Sequence, residues 1–176
     1  MIQLSSVLWL AIFTFSIIGY LRGFDKELVA ASGVLLALFT LVQFDEFFTS
    51  LTSSADNPLR SLFYLQSVIL LVVTFFAYQT PPGRLSLRES RFMGRDMMQN
   101  KLLGALAGGF NGYMVFGSLW YFMAVKNYPL ETITPPQAGT TSAGLAENLP
   151  LSWLLEGNLL TLFVIGLFLF ILIAVI

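Results

Sequence analysis

The chain has 176 residues, of which 56% are hydrophobic and only 11% are charged, and its formal net charge is −1. Soluble domains carry about 25% charged residues, so this composition excludes an ordinary water-soluble globule and indicates a protein embedded in a bilayer. The near-neutral charge also excludes a broad basic surface for nucleic acid, and we expect no nucleic-acid partner.

Cysteine and histidine are both absent. Their absence removes the usual protein ligands of zinc and haem iron, and the usual general base of a nucleophilic triad. The sequence also shows no phosphate-cradling loop and no pair of carboxylates placed for acid–base work. We therefore predict no catalytic, cofactor-binding or metal-binding residue, no haem, and no enzymatic activity.

Apolar segments of about 20 residues, the length that crosses a hydrocarbon core, recur along the chain. They predict five transmembrane helices, and hence an all-α polytopic membrane protein. The predicted spans cover about residues 2–20, 28–44, 61–80, 102–125 and 159–176.

The distribution of basic residues predicts how the chain crosses the membrane. Cytoplasmic loops carry the excess of lysine and arginine. With five spans, the 21–27 and 81–101 loops share a side and hold seven of the nine basic residues, whereas the other side has Arg60 and Lys126. The N-terminus is therefore predicted outside and the C-terminus in the cytoplasm.

The fourth span contains a stripe of glycines, Gly104, Gly108 and Gly112, which recur every four residues. In lipid, helices associate largely through close packing at small residues, so this stripe predicts a contact face. The second span offers a matching small face in Gly33 and Ala37, together with Ala30. The glycine stripe could join copies of the chain in a homo-oligomer, but we favour packing within one chain because any multi-span bundle needs such contacts.

Two polar residues fall inside apolar spans, Asn111 in the glycine stripe and Gln66 in the third span. Polar groups in a bilayer usually hydrogen-bond to a neighbouring helix. We therefore interpret both side chains as contacts between helices, in preference to a pore lining.

The loop between the third and fourth spans carries arginines at spacings of four, three and four, which place them on one helical stripe. Such a stripe predicts contact with anionic lipid headgroups. The alternative is an ordinary basic loop that sets topology. The residues are Arg84, Arg88, Arg91 and Arg95.

The sequence between the fourth and fifth spans is rich in threonine, proline and glycine and ends in Leu-Pro-Leu-Ser-Trp-Leu-Leu at 149–155. Tryptophan is enriched at membrane boundaries, so we expect this apolar end to rest on the outer interface. The chain is accordingly divided into a four-helix membrane region at 1–125, an extracytoplasmic loop at 126–158 and an additional C-terminal helix at 159–176.

Two stretches together resemble the colicin V production (CvpA) family. The first, Gly-Tyr-Leu-Arg-Gly-Phe-Asp-Lys-Glu-Leu at 19–28, is similar to the family's first hallmark, in which Arg-Gly-Phe and a nearby acidic residue link two membrane helices. The second, at 100–112, is similar to its glycine-repeat helix opening. The resemblance covers about residues 1–125. The matching positions are Arg22, Gly23, Phe24 and Glu27 in the first stretch and Gly104, Gly108 and Gly112 in the second.

This resemblance implies a bacterial inner-membrane protein linked to bacteriocin export and envelope integrity, without an established catalytic activity. The chain departs from the family at Asn111, where arginine is common, and in its fifth apolar span. Two other functions stay open: an accessory subunit of a larger respiratory, photosynthetic or secretory membrane complex, and an oligomeric channel. The expected partners are membrane lipids, together with further copies of the chain or other subunits.

Overall fold

The structure is a computed structural model that describes residues 3–79 and 97–175, with side chains described as far as residue 169. Regular structure in these two ranges is helical throughout, which confirms the all-α prediction. In chain order, the helices are α1 (Leu4–Arg22), α2 (Phe24–Gln43), α3 (Asp45–Thr52), α4 (Pro58–Tyr78), α5 (Met97–Val125), α6 (Thr141–Glu147), α7 (Pro150–Leu154) and α8 (Leu159–Val175).

The helices have the length and apolarity of a membrane-embedded bundle. Among the described residues, α1, α4 and α5 are each long and apolar enough to cross a membrane. Two further pairs of helical segments are each bent at a short break: α2 with α3 by 64°, and Thr141–Leu154 with Glu156–Leu169 by 47°. The count rises to five if each bent pair forms one span. The predicted five spans lie at the upper end of this range.

The long helices α1, α2, α4 and α5 alternate in direction along the chain. Gly19, near the end of α1, meets Gly104, near the start of α5, so these two helices are antiparallel. Tyr78, at the end of α4, contacts Glu27 at the start of α2, and Gln66 contacts Asp45 beyond the other end of α2. The helices α2 and α5 therefore run one way, and α1 and α4 run the other.

The apolar core lies where α2, α4 and α5 meet, and α7 and the start of α8 extend it. Burying such side chains against one another gives the close packing that holds helices together in lipid, where water expulsion contributes little. The core side chains with at most 1% exposure include Val34, Leu38, Leu41, Leu70, Met114, Val115, Leu151 and Leu154.

The segment predicted to rest on the outer interface instead packs inside the bundle. Leu149, Leu151 and Leu154 are each 0% exposed. Pro150 lies against Gly117 of α5, where a Cβ atom would overlap the proline ring. The interface prediction was wrong for these residues because the missing side chain of Gly117 opens a place for α7 on α5.

Candidate functional site

The most enclosed charged side chain in the described part of the chain is Glu27, in the first turn of α2, which is 0% exposed. Its carboxylate Oε1 accepts a hydrogen bond from Nη1 of Arg22, the last residue of α1, at 2.7 Å. Burying two charges is costly unless their geometry is close and their remaining groups are satisfied. The other contacts of this ion pair therefore decide whether it stabilises the fold.

Two further helices supply those contacts. The Tyr78 hydroxyl of α4 donates to Glu27 Oε2 at 2.8 Å, and Asn111 Nδ2 of α5 approaches the same oxygen at 3.0 Å. The Asn111 amide also approaches the backbone carbonyl of Glu27 at 3.0 Å. Glu27 thus joins α1, α2, α4 and α5 at one point, and we call Arg22, Glu27, Tyr78 and Asn111 the glutamate cluster.

The Arg22 side chain closes one side of the glutamate cluster. Its Nη2 donates to the Tyr78 carbonyl at 3.1 Å, and the guanidinium lies 4.3 Å from the centroid of the Tyr78 ring. Arginine suits this position because its planar guanidinium both pairs with a carboxylate and stacks on an aromatic ring. The cluster therefore also supplies a hydrogen bond to the last backbone carbonyl of α4.

The turn between α1 and α2 consists of Gly23 alone, whose φ of 85° is one that L side chains rarely adopt. The next residue, Phe24, donates its backbone N–H to Asn100 Oδ1 of α5 at 3.0 Å. This tight hairpin places Arg22 and Glu27 on facing sides of one turn. The four residues of the first motif, Arg22, Gly23, Phe24 and Glu27, therefore form one local structure against the start of α5.

The glycine stripe of α5 packs on α1 within the same chain. A Cβ atom at Gly104 would overlap the Gly19 carbonyl oxygen, and one at Gly108 would overlap that of Phe15. A Cβ at Gly112 would lie 2.8 Å from the Phe15 Cβ. Because α1 already covers this stripe, it is not free to join two copies of the chain.

The matching surface on α1, rather than the small face of α2, meets these glycines. On α2, a Cβ at Gly33 would lie 2.5 Å from the Ala77 Cβ of α4, and Ala37 is buried in the core at 4% exposure. Gly33 therefore serves the contact between α2 and α4, and Ala37 belongs to the core. The four arginines predicted to contact lipid headgroups, at positions 84, 88, 91 and 95, lie outside the described residues.

A second polar cluster lies at the other end of α2 and α4. Gln66 Oε1 accepts a hydrogen bond from Lys126 Nζ at 2.6 Å, and Gln66 Nε2 donates to Asp45 Oδ1 at 2.9 Å. Lysine can only donate and a carboxylate can only accept, so these partners also fix the orientation of the amide. We call Asp45, Gln66 and Lys126 the amide bridge.

The electrostatics of the amide bridge depend on Lys126, which follows the last residue of α5. Its side chain is only 7% exposed, and burial lowers the pKa of its ammonium group below the usual 10.5, an effect that nearby Asp45 opposes. The ammonium also lies 5.3 Å from the centroid of the Phe122 ring. The predicted role of Gln66 as a contact between helices agrees with these bonds.

Sequence reasoning named most of these residues but missed three partners. Tyr78 was treated only as part of an apolar span, and Asp45 and Lys126 only as charges at span boundaries. In the range that the structure describes, no group of three or more acidic residues could hold a metal ion. The available signal for the missed partners was that each stands within two residues of a predicted helix end.

Comparison with known proteins finds no relative of this chain. No family model, no curated protein and no solved structure matches the chain.

Proposed function

We propose that the chain is a non-enzymatic, CvpA-like protein of a bacterial inner membrane that supports envelope integrity or the export of bacteriocin-type toxins. The observation that carries this proposal is the glutamate cluster. Arg22 and Glu27 from the first motif contact Asn111 from the second, although Glu27 and Asn111 are 84 positions apart. The two stretches that carry the family resemblance therefore meet in one buried cluster, which supports treating them as one structural unit.

The departure at Asn111 is compatible with this proposal. The position where the family often has arginine carries, in this chain, a side-chain amide that donates to Glu27 Oε2. Asn111 therefore donates a hydrogen bond to the buried carboxylate, although it carries no positive charge. Arg22 supplies the cation from α1.

The geometry of Glu27 supports a structural role for this carboxylate rather than a catalytic one. General acid–base catalysis needs a group within hydrogen-bond reach of a substrate proton. Both oxygens of Glu27 are engaged by side chains of the same protein, and the residue has no solvent exposure. Such a carboxylate is suited to holding four helices together.

A second candidate, an accessory subunit of a larger membrane complex, is favoured by the surface of α8. A Cβ at Gly166 would meet no atom within 4 Å. Its neighbours Ile165 and Phe168 are 50% and 64% exposed. An unpacked apolar surface of this kind suits contact with another subunit.

The first proposal is tested by removing the gene from its native cell and measuring the entry of a normally excluded detergent or dye. We expect increased entry, restored to normal by the wild-type chain and by Asp25→Asn, which alters an exposed carboxylate on the same turn as Glu27. Glu27→Gln should fail to restore the barrier when its level in the membrane, followed by immunoblot, equals that of the wild type. A deletion strain with an unchanged barrier and unchanged toxin export would contradict the proposal.

The second candidate is tested by purification from native membranes in mild detergent, followed by mass spectrometry of the proteins that co-migrate. Stoichiometric partner subunits would make the chain part of a complex. A chain that migrates alone or only with further copies of itself would reject that candidate and leave the CvpA-like proposal.

A further inference from the structure

A pocket of about 230 Å³ opens beside the amide bridge, at the end of the bundle where α2, α5 and α7 come together. Its wall is apolar apart from the amide bridge and one phenol. The residues that matter for its chemistry are Val42, Asp45, Gln66, Tyr121, Lys126 and Leu155.

Lys126 gives the pocket an incompletely satisfied cation. An ammonium group has three N–H donors. Lys126 makes one hydrogen bond, to Gln66 Oε1, and forms no ion pair within residues 3–79 and 97–175. A side chain that is 93% buried and still has donors to offer is expected to meet an acceptor, because an unpaired buried charge is costly.

Asp45 gives the pocket an anion nearer to solvent. This residue is exposed, and its carboxylate accepts one bond from Gln66 Nε2. The Gln66 amide stands between Asp45 and Lys126 and holds their opposite charges apart. The pocket therefore offers a buried positive group and, at its mouth, a negative group.

We propose that this pocket binds the headgroup of a membrane phospholipid that carries both a phosphate and a primary ammonium group. The phosphate accepts hydrogen bonds from Lys126, and the ammonium donates to Asp45. The phosphate thus lies deeper in the pocket and the ammonium nearer to solvent. This arrangement matches the lipid itself, whose phosphate lies closer to the acyl chains and whose ammonium is outermost. Val42 and Leu155 supply apolar surface for the glycerol end.

Charge and hydrogen bonding select this headgroup over related ones. A lipid whose headgroup carries only negative charge is attracted by Lys126 but repelled by Asp45. A quaternary ammonium headgroup has the right charges but no N–H to donate to the Asp45 carboxylate. This inference does not depend on the proposed function.

The test uses native mass spectrometry of the full chain in nanodiscs with equal amounts of phosphatidylethanolamine, phosphatidylcholine and phosphatidylglycerol that have the same acyl chains. We expect the chain to retain the ethanolamine lipid over the choline lipid by about tenfold, the ratio that one charge-assisted hydrogen bond supplies. Asp45→Asn should reduce this ratio toward one, and Lys126→Met should lower the retention of all three lipids. Asp25→Asn and Lys26→Met, which alter exposed charges at the other end of α2, should change neither result.

Equal retention of the three lipids by the wild type, or preference for the glycerol lipid, would overturn the proposal. So would an unchanged preference in Asp45→Asn, and this variant remains informative if Lys126→Met does not fold, because Asp45 is exposed. A further arm adds soluble glycerophosphoethanolamine. Failure of this compound to displace the bound lipid supports a membrane source, whereas displacement at equal concentration would show that the pocket serves the free headgroup compound instead.

Discussion

The Arg22–Glu27 ion pair is held by contacts that no single helix could supply. Glu27 receives hydrogen bonds from residues 5, 51 and 84 positions away in the chain. Arg22 remains 17% exposed at its side chain, whereas Glu27 is fully enclosed. Loss of Arg22 would leave this enclosed carboxylate without its counter-charge, and loss of Glu27 would leave both the Arg22 guanidinium and the Tyr78 hydroxyl without their carboxylate acceptor.

At the residue scale, we expect Glu27→Ala to lower the free energy of unfolding by about 3–5 kcal/mol, the cost of removing one partner of a buried ion pair. Asp25→Asn is the matched control, because Asp25 lies two residues earlier on the same helix but is exposed. It should change stability by less than about 0.5 kcal/mol. Thermal or denaturant unfolding of the purified chain in detergent measures both, and equal stability of the two variants would show that the cluster does not hold the helices.

At the element scale, the contact between α1 and α5 depends on backbone approaching backbone. Residues at intervals of four, from Ala11 through Phe15 and Gly19 on α1 to Gly23 in the following turn, face the glycine stripe of α5. Several of these approaches leave no space for a Cβ atom. Glycine lowers helix propensity, and in this bundle the loss is offset by the packing that its small size permits.

The glycine stripe can be tested by adding one methyl group. Gly108→Ala places a Cβ against the Phe15 carbonyl oxygen and should lower the free energy of unfolding by about 1–3 kcal/mol, as overpacking does. The matched control is Gly166→Ala in α8, where a Cβ would meet nothing within 4 Å. The two variants are compared by thermal unfolding in detergent. If Gly108→Ala proves as stable as Gly166→Ala, the close contact between α1 and α5 is not required.

At the scale of the whole molecule, the polar groups separate toward the two ends of α2. The glutamate cluster and the exposed Lys26 lie at the end where α1 joins α2, and the amide bridge lies at the end where α3 begins. These ends are about 27 Å apart for the 18 residues from Glu27 to Asp45, at the usual helical rise. That length is close to the thickness of a hydrocarbon core.

The predicted orientation can be measured directly because the chain has no native cysteine. Ser54→Cys and Thr141→Cys alter exposed residues on the side predicted to face outward, and Lys26→Cys alters one on the cytoplasmic side. With a membrane-impermeant maleimide, we expect the first two variants to be labelled in spheroplasts and Lys26→Cys only after the membrane is opened. Labelling in the reverse pattern would invert the topology, and labelling of Ser54→Cys without Thr141→Cys would reduce the number of spans.

Residue patterns alone determined the membrane setting and the all-α class, because hydropathy is a property of consecutive residues and the bilayer requires helices to satisfy their own backbone groups. Periodicity likewise placed Gly104, Gly108, Gly112 and Asn111 on one contact face. Only the tertiary structure decided that the glycines meet α1, that Asn111 meets Glu27 of α2, and that α7 packs on Gly117. It also brought Tyr78 to Glu27 and Lys126 to Gln66 across 51 and 60 positions, since such pairings depend on helix rotation and crossing, which local sequence does not encode.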